Sequence, residues 1–141
     1  MLDIRVSEVK AIIDELYKKD FLIKMFGENA QNGSFDFDNL IVSGHSMGGS
    51  TAMVAGDQDN RIKTVLTHDI WYQIFQERLP NFKNLFSKRV QTITSAQYAV
   101  ENHFDDPFGT KLRDKFKTKE LFESLIVERT HHLQQTDCSI M

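Results

Sequence analysis

The pentapeptide Gly44-His45-Ser46-Met47-Gly48 is the feature that most restricts how this chain can fold. A short apolar run, residues 40–42, precedes it and a stretch of small residues follows it, so it lies between a predicted buried strand and a predicted helix. A serine in such a turn stands above the sheet in a strained conformation, and we expect side chains at positions 44 and 48 to clash in a bend this tight. The pattern therefore predicts an accessible Ser46 hydroxyl at the end of a strand.

Three further apolar runs follow along the chain, at residues 62–67, 90–94 and 125–127, and each is a predicted strand. Apolar side chains at helical spacing predict an amphipathic helix over residues 3–19, and residues 27–38 are predicted to form a polar loop. A helix face before the fourth strand is predicted from Leu112, Phe116 and the Leu121-Phe122 pair. Alternating strands and helices indicate an α/β fold with about four mostly parallel strands covered by helices, all within one domain over residues 1–141.

Composition excludes several classes of function. The 141 residues carry a formal net charge of -3, and the pI is near 5.9. Because polyanions are drawn to basic surfaces, this balance argues against a nucleic-acid-binding protein. The single cysteine, Cys138, excludes an intrachain disulfide and a cysteine-built metal site. With no metal-ligand spacing in the sequence either, we expect neither a metal nor a cofactor.

A G-x-S-x-G turn between a strand and a helix is the nucleophile elbow of α/β-hydrolases. In this interpretation Ser46 is the nucleophile, and the backbone N–H of Met47 at the start of the helix donates to the oxyanion. The serine also needs a histidine to take its proton and a carboxylate to orient that histidine. Because the chain order in this fold is serine, acid, histidine, the base is expected at His131 or His132. Position alone leaves four acids open: Asp69, Glu101, Asp105 and Asp106.

Several of these residues together resemble the platelet-activating factor acetylhydrolase family, of the plasma and intracellular type II group. The similar segments are the elbow continued to Thr51, the sequence Asp69-Ile70-Trp71, and His132 followed five positions later by Asp137. The Asp-x-Trp segment gives the resemblance its specificity, because most relatives of the fold place their acid one strand later. The sequence departs from the family at Met47, where Phe is usual, and at Leu133, where a polar residue is usual.

The resemblance implies that Ser46 is the nucleophile, that Asp69 orients the base, and that His132, with His131 as its neighbour, is the general base. It also implies a serine esterase that hydrolyses the short sn-2 acetyl ester of phospholipids like platelet-activating factor, without a metal or cofactor and with peripheral contact to a membrane. Two alternative hypotheses remain. One is an esterase or lipase for a different ester, with Glu101 or Asp105 as its acid, and the other is a non-catalytic chain with a lipid-facing or partner-binding surface.

We expect this chain to be the C-terminal part of an α/β-hydrolase domain whose N-terminal half is absent. A complete domain takes its second oxyanion donor from the loop after its third strand, which would lie before residue 1. The expectation includes an exposed sheet edge, a complementing N-terminal half as a partner, and little activity from residues 1–141 alone.

The sequence leaves the compartment open between the cytoplasm and secretion, because a targeting segment would precede residue 1. The last four residues, Cys138 to Met141, have the C-a-a-X form that directs farnesylation when the final residue is Met. Ser in the first "a" place and the absence of a preceding polybasic stretch favour a solvent-facing tail without a lipid.

Overall fold

The computed structural model describes residues 1–28, 30, 35–101 and 112–135. The helices are α1 (Leu2–Leu16), α2 (Lys19–Phe26), α3 (Met47–Gln58) and α4 (Ala96–Glu101). The strands are β1 (Leu40–His45), β2 (Ile62–His68), β3 (Arg89–Ser95) and β4 (Phe122–Val127). Short 3-10 turns precede β1 and β4, follow β4 and connect β2 to β3. The four strands therefore lie where the apolar runs predicted them, with ends that differ by three residues or fewer.

All four strands are parallel, and they lie side by side in the order β1-β2-β3-β4. Parallel neighbours need a connection that crosses a face of the sheet, and α3 makes this crossing between β1 and β2. The predicted α/β fold with a mostly parallel sheet is thus confirmed. In such a sheet the carboxyl ends of all strands meet at one edge, so the residues that follow His45, His68 and Ser95 come together there.

The core lies between α3 and the sheet, and α1 packs against α3. Met53 and Val65 are fully buried, and residues 52–55 of α3 are all at most 1% exposed. Because α3 has no exposed face in this stretch, it is a core helix there. Its small residues allow it to pack closely against its neighbours. Within the described residues no helix is long and apolar enough to cross a lipid bilayer.

The predicted helix over residues 3–19 was wrong in its extent, because it is two helices. The backbone of Lys18 is extended, with φ -94° and ψ 119°, and α2 begins at Lys19. Leu22 of α2 is buried, so the chain turns to place a second apolar face inside. Of the predicted polar loop over residues 27–38, positions 29 and 31–34 lie outside the described residues.

The predicted helix face before the fourth strand was also partly wrong. Leu112 and Phe116 are buried as expected, but Phe122 is the first residue of β4. The Phe122 ring lies 5.1 Å from the ring of Phe116, so an aromatic contact between strand and loop replaces a shared helix face.

The connection from β2 to β3 consists of 3-10 turns within residues 72–87. The Asp57 carboxylate at the end of α3 accepts hydrogen bonds from the backbone N–H groups of Lys83, Asn84 and Leu85. These bonds hold the connection against α3. An irregular segment lacks the regular backbone acceptors of a helix or strand, and here one carboxylate accepts the N–H groups in their place.

The two outer strands of the sheet are β1 and β4. Ile41 of β1 is 65% exposed, and Leu125 and Ile126 of β4 are both more than half exposed. Among the described residues neither strand has a neighbour on its outer side, which agrees with the expected exposed edge.

Candidate active site

Ser46 occupies a sharp turn between β1 and α3. Its φ of 54° and ψ of -119° fall in a region that residues with a side chain rarely adopt, at a cost on the order of 1–3 kcal/mol. Two backbone hydrogen bonds hold it there: the Ser46 N–H donates to the His68 carbonyl (2.9 Å), and its carbonyl accepts from the Trp71 N–H (3.1 Å). Since His68 and Trp71 lie on either side of Asp69 in the chain, the same bonds hold the turn beside Asp69.

The two glycines of the elbow have different roles. A Cβ at Gly44 would lie 2.2 Å from the backbone C and O of Gly48 and 2.7 Å from the backbone N of Gly49, so position 44 admits no side chain without a backbone shift. A Cβ at Gly48 would meet nothing within 4 Å, so the expected clash at position 48 was wrong. The reason is that Gly48 is exposed, so a methyl group on it would point into open space. Its backbone atoms are the ones that lie close to Gly44.

Gly44→Ala is expected to destabilise the fold by about 3 kcal/mol, because overpacking against backbone cannot relax by a rotamer change. Gly48→Ala is the matched control: it adds the same methyl group into open space inside a helix, so it should be neutral or stabilise by up to about 1 kcal/mol. Urea denaturation followed by circular dichroism measures both. Equal losses of unfolding free energy in the two variants would contradict this account of the elbow.

Asp69 follows β2 and is fully buried. Its carboxylate accepts the backbone N–H of Ser95 at Oδ1 (2.5 Å) and the Ser95 hydroxyl at Oδ2 (2.7 Å). Nδ1 of His132 lies 3.1 Å from the same Oδ2. A carboxylate only accepts, so Nδ1 carries the imidazole proton and Nε2 keeps a lone pair that can take a proton from elsewhere. This is the geometry of an acid that orients a base.

Ser95 was missed by sequence reasoning, although it is the last residue of β3 and therefore lies at the edge where the site forms. Ser95→Ala removes one of the two donors that this residue gives to a buried carboxylate, so we expect a loss of about 1.5–3 kcal/mol in unfolding free energy. Ser124→Ala, on exposed β4, should change it by less than about 0.5 kcal/mol. Urea denaturation of both variants checks this, and similar small changes would show that Ser95 is not needed to hold Asp69.

Two aromatic rings contact the imidazole of His132. Tyr98 stacks on it with centroids 4.5 Å apart, and His45 lies 4.3 Å away. The His45 ring also donates from Nε2 to the backbone carbonyl of His132 (3.0 Å). Burial, and then the neighbouring His132, lower the pKa of His45, so this ring is neutral at pH 7 and can hold that single proton on Nε2. His45 and Tyr98 thus hold the imidazole of His132 in place, a role that sequence reasoning had not given them.

The Ser46 hydroxyl itself makes no hydrogen bond to His132 among the described residues. The two residues are brought together through His45, which adjoins Ser46 in the chain and contacts His132 in space. In enzymes without bound substrate, the bond between nucleophile and base is often long and tightens when substrate binds. Met47 is the first residue of α3, so its N–H has no acceptor within the helix and remains available to an oxyanion.

The competing candidates lie elsewhere. His131 is exposed and its Nδ1 contacts the side-chain oxygen of Gln97, whereas His132 is the histidine that pairs with Asp69. Glu101 is also exposed and accepts a hydrogen bond from the Gln97 amide (2.6 Å). Asp105, Asp106, Asp137 and Cys138 lie outside the described residues.

Two cavities adjoin the site. One, of about 370 Å³, lies between α1 and β1 and includes Met47 and Gly48 of the elbow in its lining. The other, of about 410 Å³, borders His132 and Leu133. The first cavity thus borders the elbow and the second borders the base, and each offers room for part of a substrate.

Comparison with known proteins identifies the family of this chain. No curated protein matches the chain significantly. The family model for platelet-activating factor acetylhydrolase, isoform II, matches residues 6–137, which is nearly the whole chain. The chain therefore belongs to the platelet-activating factor acetylhydrolase family of isoform II, as the elbow, the Asp-x-Trp segment and the late histidine had indicated.

Proposed function

We propose that this chain is a serine esterase that hydrolyses the short sn-2 acetyl ester of phospholipids like platelet-activating factor. Family membership supports a hydrolase that acts on lipid esters, of the α/β-hydrolase type. The observation that supports catalysis most directly is the hydrogen bond between His132 Nδ1 and the buried Asp69 carboxylate, next to the strained turn that carries Ser46.

In the proposed mechanism the Ser46 hydroxyl attacks the acetyl carbonyl carbon while His132 Nε2 takes its proton. The Met47 N–H donates to the oxygen that becomes negatively charged, and the protonated His132 then returns its proton to the leaving lyso-lipid oxygen. Water, deprotonated by the same nitrogen, attacks the acetyl-Ser46 carbonyl, and acetate is released as that nitrogen returns the proton to the Ser46 oxygen. Asp69 stays ionised throughout and stabilises the imidazolium.

Exposed apolar side chains next to the acid and the base support a lipid substrate. Trp71 is 43% exposed two residues after Asp69, and Leu133 is 48% exposed directly after His132. An indole ring at a wet surface suits the boundary between headgroups and acyl chains, so these residues support peripheral contact with a membrane or micelle.

The test uses the purified chain and 1-alkyl-2-acetyl-glycerophosphocholine labelled in the acetyl group. We expect slow release of labelled acetate, in line with the little activity expected of residues 1–141 alone, and no fatty acid release from the same lipid with a long sn-2 chain. A fluorophosphonate probe should also label Ser46, because it reacts with a serine hydroxyl that a base has activated.

Each other outcome rejects a defined part of the proposal. Equal hydrolysis of short and long sn-2 chains would reject the preference for acetyl and retain the esterase. Absence of both acetate release and probe labelling would reject catalysis by this chain and favour the non-catalytic alternative.

A further inference from the structure

The fold brings together three side chains that the sequence separates by up to 87 positions. His45, Asp69 and His132 each offer one ligand atom, and these three atoms lie within 4.8 Å of one another. The pair His132 Nδ1 and Asp69 Oδ2 is separated by 3.1 Å. Tetrahedral zinc with bonds of about 2.0–2.1 Å holds its ligand atoms about 3.4 Å apart, so a small closing movement brings the set to coordination distance.

We propose that His45, Asp69 and His132 form an inhibitory binding site for Zn²⁺. Two imidazoles and one carboxylate are ligands that zinc accepts, and three protein ligands leave a fourth position for water. The site is also partly prepared. Asp69 is fully buried and held by Ser95, and the two imidazoles already contact each other, so little ordering is needed on binding.

Binding requires each imidazole to move its proton to its other nitrogen. His45 gives up the bond from Nε2 to the His132 carbonyl and carries its proton on Nδ1, while His132 coordinates through Nδ1 and carries its proton on Nε2. No proton is released, because both rings stay neutral. A His132 that is protonated at Nε2 cannot take the proton of Ser46, so the metal would block the base without touching the nucleophile. This inhibitory effect rests on the proposed function, whereas binding itself does not.

Isothermal titration calorimetry with ZnCl₂ tests the binding step on the intact chain. We expect one site with these ligands, and His45→Gln should weaken the zinc affinity at least about tenfold. His131→Gln is the matched control, since it removes the exposed imidazole next to His132 and should leave the affinity within about twofold. Unchanged affinity in His45→Gln, or no binding to the natural chain, would overturn the proposal.

If His45→Gln does not fold, X-ray absorption at the zinc edge tests the same binding site. We expect two imidazole ligands in the zinc complex of the natural chain, and one or none would overturn the site.

Fluorophosphonate labelling of Ser46 tests the inhibitory step. Zinc should slow labelling in the natural chain at least about tenfold, EDTA should restore it, and His45→Gln should be less sensitive to zinc. Labelling that zinc leaves unchanged while the site is filled would overturn inhibition. If the chain binds zinc through these ligands but is never labelled, the metal site stands and the proposed esterase function falls.

Discussion

Ser46→Ala is expected to abolish both fluorophosphonate labelling and acetate release. Removal of the nucleophile from a serine, histidine and aspartate triad lowers turnover by about 10⁶-fold, a magnitude measured in another serine hydrolase. The loss should come from chemistry and not from folding. The Ser46 hydroxyl makes no hydrogen bond among the described residues, and alanine adopts the same positive φ with the same strain.

The matched control for this prediction is Ser87→Ala. Ser87 is exposed, lies two residues before the start of β3 and so at the opposite end of the strands from the elbow, and the same atom is removed far from the site. Acetate release by Ser87→Ala should equal that of the natural chain, and urea denaturation should give both variants unfolding free energies within about 0.5 kcal/mol of it. Substantial labelling in Ser46→Ala would show that another nucleophile reacts.

Asp69→Asn is expected to lower turnover by about 10⁴-fold, with most of the effect in kcat. The carboxylate accepts from three donors, two on Ser95 and one on His132. An amide presents an NH₂ group to at least one of them, and the imidazole relieves the conflict by moving its proton to Nε2. Nε2 of His132 is then protonated and cannot take the Ser46 proton, so the base is lost although the ring stays in place.

Two companion variants compare Asp69 with the other candidate acids. Glu101→Gln should retain activity within about threefold, since the exposed Glu101 carboxylate accepts from Gln97 and not from a histidine. Asp105→Asn should do the same if Asp69 is the acid. Acetate release measured over a range of substrate concentrations separates kcat from KM. A large loss of turnover in Glu101→Gln or Asp105→Asn, with nearly unchanged turnover in Asp69→Asn, would show that the catalytic acid is one of those that follow the third strand.

Local pattern was sufficient for the strands and for the elbow. Each strand contains a short apolar run, which burial requires of the inner strands β2 and β3 of a parallel sheet, although the outer strands keep Ile41, Leu125 and Ile126 exposed. Gly44 and Ser46 were also predictable, because the tight turn depends on residues within a few positions of each other. The break between α1 and α2 was not predictable in this way, since neither Gly nor Pro lies beside Lys18. The position of the break depends on the burial of Leu22 in the folded chain.

The sequence by itself determined the α/β fold, the elbow and a short set of candidates for acid and base. Only the tertiary structure decided that Asp69 meets His132, that Ser95 holds the acid, and that His45 and Tyr98 contact the base. The physical reason is that a parallel sheet gathers the carboxyl ends of its strands at one edge. Which side chains hydrogen-bond there depends on the register of the strands and the direction of each turn, and neither is encoded in the spacing of residues along the chain.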